Sequence, residues 1–147
     1  MNIKHTSVLV IAIAVIVMAS CQKKTAVNQD ECDKPVMYNT SELAELMRDM
    51  YADNEAIKDR ILKGEWPDSF PSYFVQLHTA KATDPSDIND TYKGLADEYL
   101  KRFNELKEAP QEKRIASYNA LVEGCLSCHQ VFCSGPIPKI QKLKIAN

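Results

Sequence analysis

From Asn39 onward, apolar side chains recur every three or four residues, the spacing at which a helix buries one face. The prolines beyond this point fall between the periodic segments, and no run of alternating β-branched residues is long enough to predict a strand. Four helices are therefore predicted, within residues 39–64, 71–82, 92–106 and 115–132. Amphipathic helices joined by short connections favour an all-α fold, an up-down-up-down four-helix bundle with cofactor sites in its core.

The first predicted helix has a start signal, an end signal and one unusual core position. Asn39 and the Thr-Ser-Glu that follows it resemble a capping box with Asn39 as the N-cap, and the helix is expected to end at Lys63-Gly64. Asn54 is the one polar residue that interrupts the apolar stripe. The stripe itself consists of Leu43, Met47, Met50, Ile57 and Ile61.

The N-terminus has the pattern of an export signal. Lys4 precedes an unbroken apolar run over residues 8–19, which is shorter than the ~20 residues of a membrane-spanning helix and typical of a signal peptide. The sequence M-A-S-C that ends at Cys21 resembles the lipobox of bacterial lipoproteins, which implies cleavage before Cys21 and lipidation of its thiol. An ordinary secreted protein and an uncleaved anchor are the alternatives. Gln22, in place of Asp, favours the outer membrane over the inner one.

Three segments are predicted along the chain: a signal peptide over residues 1–20, a tether over residues 21–38 and a helical domain over residues 39–147. The chain has 18 basic and 20 acidic side chains, and this balance argues against a nucleic-acid-binding protein. The sequence has no pattern of a nucleophile with its base, so no enzymatic activity is predicted.

Residues 125–129 are Cys-Leu-Ser-Cys-His, the C-x-x-C-H attachment signal of c-type haem. Two thiols three residues apart on one helix face can add to the two vinyl groups of one porphyrin, and the adjacent histidine then faces the iron as proximal ligand. Cys125, Cys128 and His129 are therefore predicted to hold one covalent haem c. Export supports this prediction, because such attachment is completed outside the cytoplasm. A thioredoxin-like pair would need a βαβ setting, and a zinc site would need a second pair of ligands at finger spacing.

The place of this motif in the last predicted helix resembles the arrangement in cytochrome c′ and its low-spin relative cytochrome c556. The resemblance covers about residues 40–133. The motif and the aromatic residue Phe132 match the family's C-x-x-C-H-x-x-aromatic pattern, which implies that Phe132 packs against the haem. Leu-Met-Arg-Asp at 46–49 and Lys-Gly-Glu-Trp-Pro at 63–67 are similar to the first helix of cytochrome c556 and the turn that closes it.

In cytochrome c556 the methionine that corresponds to Met47 is the second axial ligand, so the resemblance implies His/Met coordination of the iron. Met50 lies three residues further on the same predicted face and is the runner-up. Two alternatives remain open: Met47 is core filler, or the iron is five-coordinate with Leu43 or Leu46 over its vacant face. For His78 the functional alternatives are a rival axial ligand or a partner for a haem propionate, although a lone helical histidine is more often a surface or satisfied core residue.

Cys32 and Cys133 remain, and leftover thiols in an exported protein tend to pair. In an up-down-up-down bundle the start of the first helix and the end of the last lie at the same end, so a Cys32–Cys133 disulfide is predicted; two free thiols are the alternative. Cys133 stands where cytochromes c′ commonly have a basic residue. The tail with Lys139, Lys142 and Lys144 is expected to be solvated, with contact to haem propionates or to a redox partner as the alternatives.

Together these patterns predict a monohaem c-type cytochrome that carries one electron at a time, anchored by lipid in the bacterial envelope and facing the periplasm. Redox proteins and the membrane are the expected partners, and the family resemblance also allows a homodimer. The alternative function is a five-coordinate haem protein that binds nitric oxide or another small gas for sensing or detoxification. A third possibility is a haemless bundle in which C-x-x-C-H is a disulfide or metal staple.

Overall fold

The computed structural model describes residues 40–146, and this part of the chain contains helices and no strands. The prediction of an all-α fold is therefore confirmed for these residues. The predicted signal peptide, Cys21 and Cys32 lie outside them. The α-helices are α1 (Glu42–Leu62), α2 (Asp90–Lys107), α3 (Arg114–Phe132) and the short α4 (Ile137–Ile140), and the 3₁₀ turns are Tyr73–His78, Pro85–Asp87, Gln111–Lys113 and Gln141–Leu143.

Helix α1 is closed at both ends by local hydrogen bonds. Ser41 is its N-cap, with an extended backbone and a hydroxyl that accepts from the Ala44 amide over 3.2 Å, so the prediction of Asn39 as the cap is wrong by two positions. At the other end, the amides of Gly64 and Glu65 donate to the carbonyls of Ile61 and Arg60 at 3.0 and 2.9 Å. This is a Schellman motif, and Gly64 adopts the positive φ of +74° that the motif requires, so the helix ends where the sequence predicted.

The second predicted helix is not an α-helix. The segment Tyr73–His78 is a 3₁₀ helix of 6 residues, so three long α-helices stand where four were expected. Phe74 and Leu77, three residues apart, are 1% and 3% exposed, and a 3₁₀ helix with three residues per turn brings both to the same side. The Tyr92 hydroxyl on α2 donates to the Leu77 carbonyl over 2.9 Å and fixes the end of the turn.

Helices α2 and α3 approach each other closely at Gly124. A Cβ at this position would lie 3.4 Å from Cδ2 of Tyr99 and 3.5 Å from Cδ of Arg102, which are ordinary contact distances, so an added methyl group would pack directly against α2. Arg102 also donates to the Ala120 carbonyl across the same contact, over 2.8 Å. No helix among residues 40–146 is both long enough and apolar enough to cross a membrane.

The C-terminal segment is docked on the helices, so the prediction of a solvated tail is wrong. Ile140, Leu143 and Ile145 are buried, with exposures of 2% to 6%. The Asn119 side chain pairs with the backbone of Ile145 through two hydrogen bonds of 2.9 Å, one donated and one accepted. Lys58 on α1 donates to the carbonyls of residues 142 and 144, at 2.7 and 3.2 Å. The lysines of the tail are exposed, but the apolar residues between them complete the core.

Candidate cofactor site

A small inner pocket, partly open to solvent, lies among α1, α2, α3 and the docked tail. A wider outer cleft shares part of this lining, namely Met47, Tyr51, Tyr92, Cys128, His129 and Ile140. The structure therefore brings together the C-x-x-C-H residues of α3 and the predicted distal residues of α1. The inner lining is largely apolar and consists of Met47, Met50, Tyr51, Asn54, Leu77, Tyr92, Leu95, Ala96, Tyr99, Gly124, Cys125, Cys128, His129, Ile140 and Leu143.

The three motif residues share one face of α3 because they stand three and four positions apart on a continuous α-helix. Burial raises the pKa of the Cys125 thiol to about 12 and also raises the pKa of Cys128. Both thiols are therefore uncharged at neutral pH, and the structure does not join them in a disulfide. This environment disfavours a nucleophilic or metal-binding thiolate, whereas a thioether, which carries no charge, suits it.

His129 is half-buried and is oriented by the end of its own helix. Its Nδ1 lies 3.0 Å from the carbonyl oxygen of Cys133. A carbonyl only accepts, so Nδ1 is the protonated nitrogen and Nε2 carries the lone pair. This is the arrangement in which histidines ligate metals, with the second nitrogen bonded to a fixed acceptor.

The predicted distal residues occupy different depths. Met47 is half-buried and lines both the inner pocket and the outer cleft, whereas Met50 is 5% exposed and lines the inner pocket alone. Leu43 lines the outer cleft. Leu46 is buried in the core and lines neither cavity, so it is not placed to cover a ligand site there. Of the two methionines, only Met47 lines both cavities that His129 also lines.

His78 lies outside both cavities. Its Nε2 is 3.0 Å from Oδ1 of Asp97, and both side chains are partly exposed. The structure gives this histidine a surface partner on α2, which agrees with the expectation of a satisfied histidine and leaves it away from the site.

Phe132 lines the outer cleft and meets Tyr92 edge to face, with ring centroids 5.8 Å apart. Cys133 is exposed at the end of α3, while Cys32 lies outside the described residues, so their disulfide stays a prediction.

Two apolar residues of the site were not predicted from the sequence: Ile140 and Leu143, which reach the pocket from the tail. Lys139, for which contact to haem propionates was one alternative, lines the outer cleft with its ammonium 4.2 Å from the ring centroid of Tyr51. Arg48 lines the same cleft from α1. The apolar spacing of residues 140, 143 and 145 was the available signal, and the lysines between them concealed it.

Within residues 40–146, no group of three or more His, Cys, Asp or Glu side chains is arranged to hold a metal ion. Comparisons with protein-family models, with curated proteins and with solved structures gave no match. The interpretation of the site therefore rests on the residues of this chain.

Proposed function

We propose that this protein is a monohaem c-type cytochrome of the cytochrome c′ and c556 type, and that it carries single electrons in the bacterial envelope. The proposal includes export, a lipid anchor at Cys21 and a bundle in which the haem-bearing helix is α3. The observation that supports it most is that Cys125, Cys128 and His129 line one apolar pocket with Met47.

The residues present fit a haem in chemistry as well as in position. Addition of the two neutral thiols to vinyl groups would leave no charge in the pocket. The lone pair on Nε2 of His129 is free to ligate, because Nδ1 is engaged by the Cys133 carbonyl. A bound haem would supply an iron that alternates between ferrous and ferric states.

The outer cleft also suits the two carboxylates that a porphyrin carries. Arg48 and Lys139 line it, and neither forms an ion pair among the described residues. Lys139 is held at the cleft by the face of Tyr51, at 4.2 Å. Two unpaired cations beside an apolar space are complementary to a flat apolar ligand with two acidic groups.

Electron transfer is favoured over gas binding because Met47 is available as the distal ligand. His/Met coordination raises the reduction potential and closes the iron to other ligands. The second candidate, a five-coordinate iron that binds nitric oxide, has one observation in its favour: Leu43 lines the cleft from the same helix, where an apolar side chain would leave the distal position open.

Absorption spectra of the purified holoprotein separate these functions. We expect a six-coordinate, low-spin ferrous spectrum that becomes high-spin in Met47→Ala and is retained in Met50→Ala, the matched control. A high-spin wild-type spectrum that changes when nitric oxide is added would contradict the electron-carrier function and support the gas-binding function. If only Met50→Ala loses the low-spin spectrum, the distal ligand is Met50 and not Met47.

A further inference from the structure

The inner pocket contains one buried polar side chain, Asn54, whose hydrogen bonds are incomplete. Asn54 is 1% exposed. Its Nδ2 donates to the Met50 carbonyl at 2.7 Å and to the Tyr99 hydroxyl at 3.1 Å. The Met50 carbonyl can only accept, which fixes the amide orientation and leaves Oδ1 as the free end. Oδ1 is buried and has no partner among the described residues.

Tyr99 also lacks one hydrogen-bond partner, in this case for its donor. Its hydroxyl accepts from Asn54, and no acceptor among residues 40–146 takes its own proton. Burial raises the pKa of Tyr99 well above its usual value, so the proton stays on the oxygen at neutral pH. An acceptor on α1 and a donor on α2 that lack partners among the described residues therefore belong to two hydrogen-bonded side chains that both line the inner pocket.

The hydroxyl of Tyr118 provides a comparison, because it is buried nearby and has a hydrogen-bond acceptor. The Tyr118 hydroxyl on α3 donates to the backbone carbonyl of Asn54 over 2.9 Å. Tyr118 is also completely buried, but it does not line the inner pocket. Burial of a tyrosine in this core is thus compatible with a satisfied hydroxyl, so burial alone does not explain the missing partner of Tyr99.

We propose that Asn54 and Tyr99 form a binding site for one small molecule that both donates and accepts hydrogen bonds, and that this molecule is water. One O–H of the water donates to Oδ1 of Asn54, and the water oxygen accepts from the Tyr99 hydroxyl. Buried polar groups nearly always have partners, and an enclosed water with such partners is part of the structure. Cys125 lines the same pocket, so the site provides a fixed polar group beside the predicted haem attachment point.

A crystal structure of the full mature protein, at a resolution that shows ordered water, tests the site. We expect one water within about 3 Å of both Oδ1 of Asn54 and the Tyr99 oxygen. The water should be absent in Asn54→Leu and in Tyr99→Phe, and it should remain in Tyr118→Phe.

A wild-type map without density between the two atoms would overturn the proposal, as would a Tyr99 hydroxyl bonded to a protein acceptor. If Asn54→Leu fails to fold, Tyr99→Phe still decides, because it removes only one oxygen atom. The site is formed by two helices without the haem, so a water in a protein that carries no haem after export with a competent haem-maturation system would support the site while contradicting the proposed function.

Discussion

His129 donates a hydrogen bond from Nδ1 to the backbone carbonyl of Cys133, four residues later and 3.0 Å away. The acceptor is backbone, so the orientation of the imidazole depends on the conformation at the end of α3 and not on the side chain at position 133. The thiol of Cys133 is therefore available for another purpose.

A Cys133→Ser variant separates the role of the Cys133 carbonyl, which orients His129, from the role of the Cys133 thiol. We expect its haem spectrum to match the wild type, because the carbonyl that orients His129 is retained. Loss of the predicted disulfide should lower the free energy of unfolding by at most about 4–5 kcal/mol, the limit for a loop of roughly 100 residues. Denaturant titration of the oxidised protein measures the change, and Cys32→Ser should give the same value. Unequal effects of the two substitutions would contradict the pairing.

The docked tail should depend on Asn119. Asn119→Ala removes both hydrogen bonds to Ile145, and we expect a loss of about 1–3 kcal/mol in the free energy of unfolding together with faster amide exchange over residues 140–145. Asn104→Ala is the matched control, since Asn104 is exposed on α2 and its side chain forms no hydrogen bond among the described residues. Equal effects of the two variants would show that the hydrogen bonds between Asn119 and Ile145 do not hold the tail in place.

The haem-free chain should lose stability at alkaline pH through Cys125. The unfolded thiol ionises near its ordinary value of 9.0, while burial raises the pKa in the fold to about 12. The stabilising contribution of the buried thiol is fully present below pH 9.0. It is lost as the pH rises from 9.0 to about 12, at up to about 1.4 kcal/mol per pH unit, because the unfolded state then binds fewer protons than the folded state.

Urea titrations of the haem-free chain between pH 8 and pH 11 measure this dependence. Cys125→Ser should show a shallower decline over the same range. Cys133→Ser should decline with the same pH slope as the parent chain, although its free energy of unfolding is lower at every pH because the predicted disulfide is lost. Identical curves for Cys125→Ser and the parent would disprove the assignment to Cys125.

The cations of the outer cleft should raise the reduction potential of the proposed haem. A positive charge stabilises the ferrous state, so Arg48→Gln and Lys139→Gln should each lower the midpoint potential, by at most about 40 mV, which corresponds to about 1 kcal/mol. Redox titration at low salt measures the shift. Lys142→Gln is the control, because Lys142 is exposed and lines neither cavity. A shift in the control as large as in the two variants would exclude a local effect of the cleft.

The sequence predicted the three long helices because caps, prolines and apolar periodicity are local signals. The 3₁₀ form of residues 73–78 was not predictable in the same way, since Phe74 and Leu77 are three positions apart and fit either kind of helix. The docked tail was missed for a different reason: its burial depends on Asn119 and Lys58, which are distant in sequence.

The candidate site, like the fold, was predictable only where the sequence signal is local. The C-x-x-C-H spacing on one helix placed its three residues together, and periodicity on α1 brought Met47 to the same pocket. The pair of Asn54 and Tyr99 joins positions 45 residues apart, and only the packing of α1 against α2 determines it. Local patterns thus predicted which cysteines, histidine and methionines come together, whereas the polar pair and the part of the wall formed by the tail depend on tertiary packing.

The central claim is that Cys125 and Cys128 hold a covalent haem. The direct test is mass spectrometry of the full-length protein, exported from a bacterium that has a competent haem-maturation system, with Cys125→Ser/Cys128→Ser as the control. We predict that the mature chain carries the mass of one haem, located on the peptide that contains residues 125–129, and that the double variant lacks it. A wild-type chain whose two cysteines are unmodified, or joined to each other, would contradict the account.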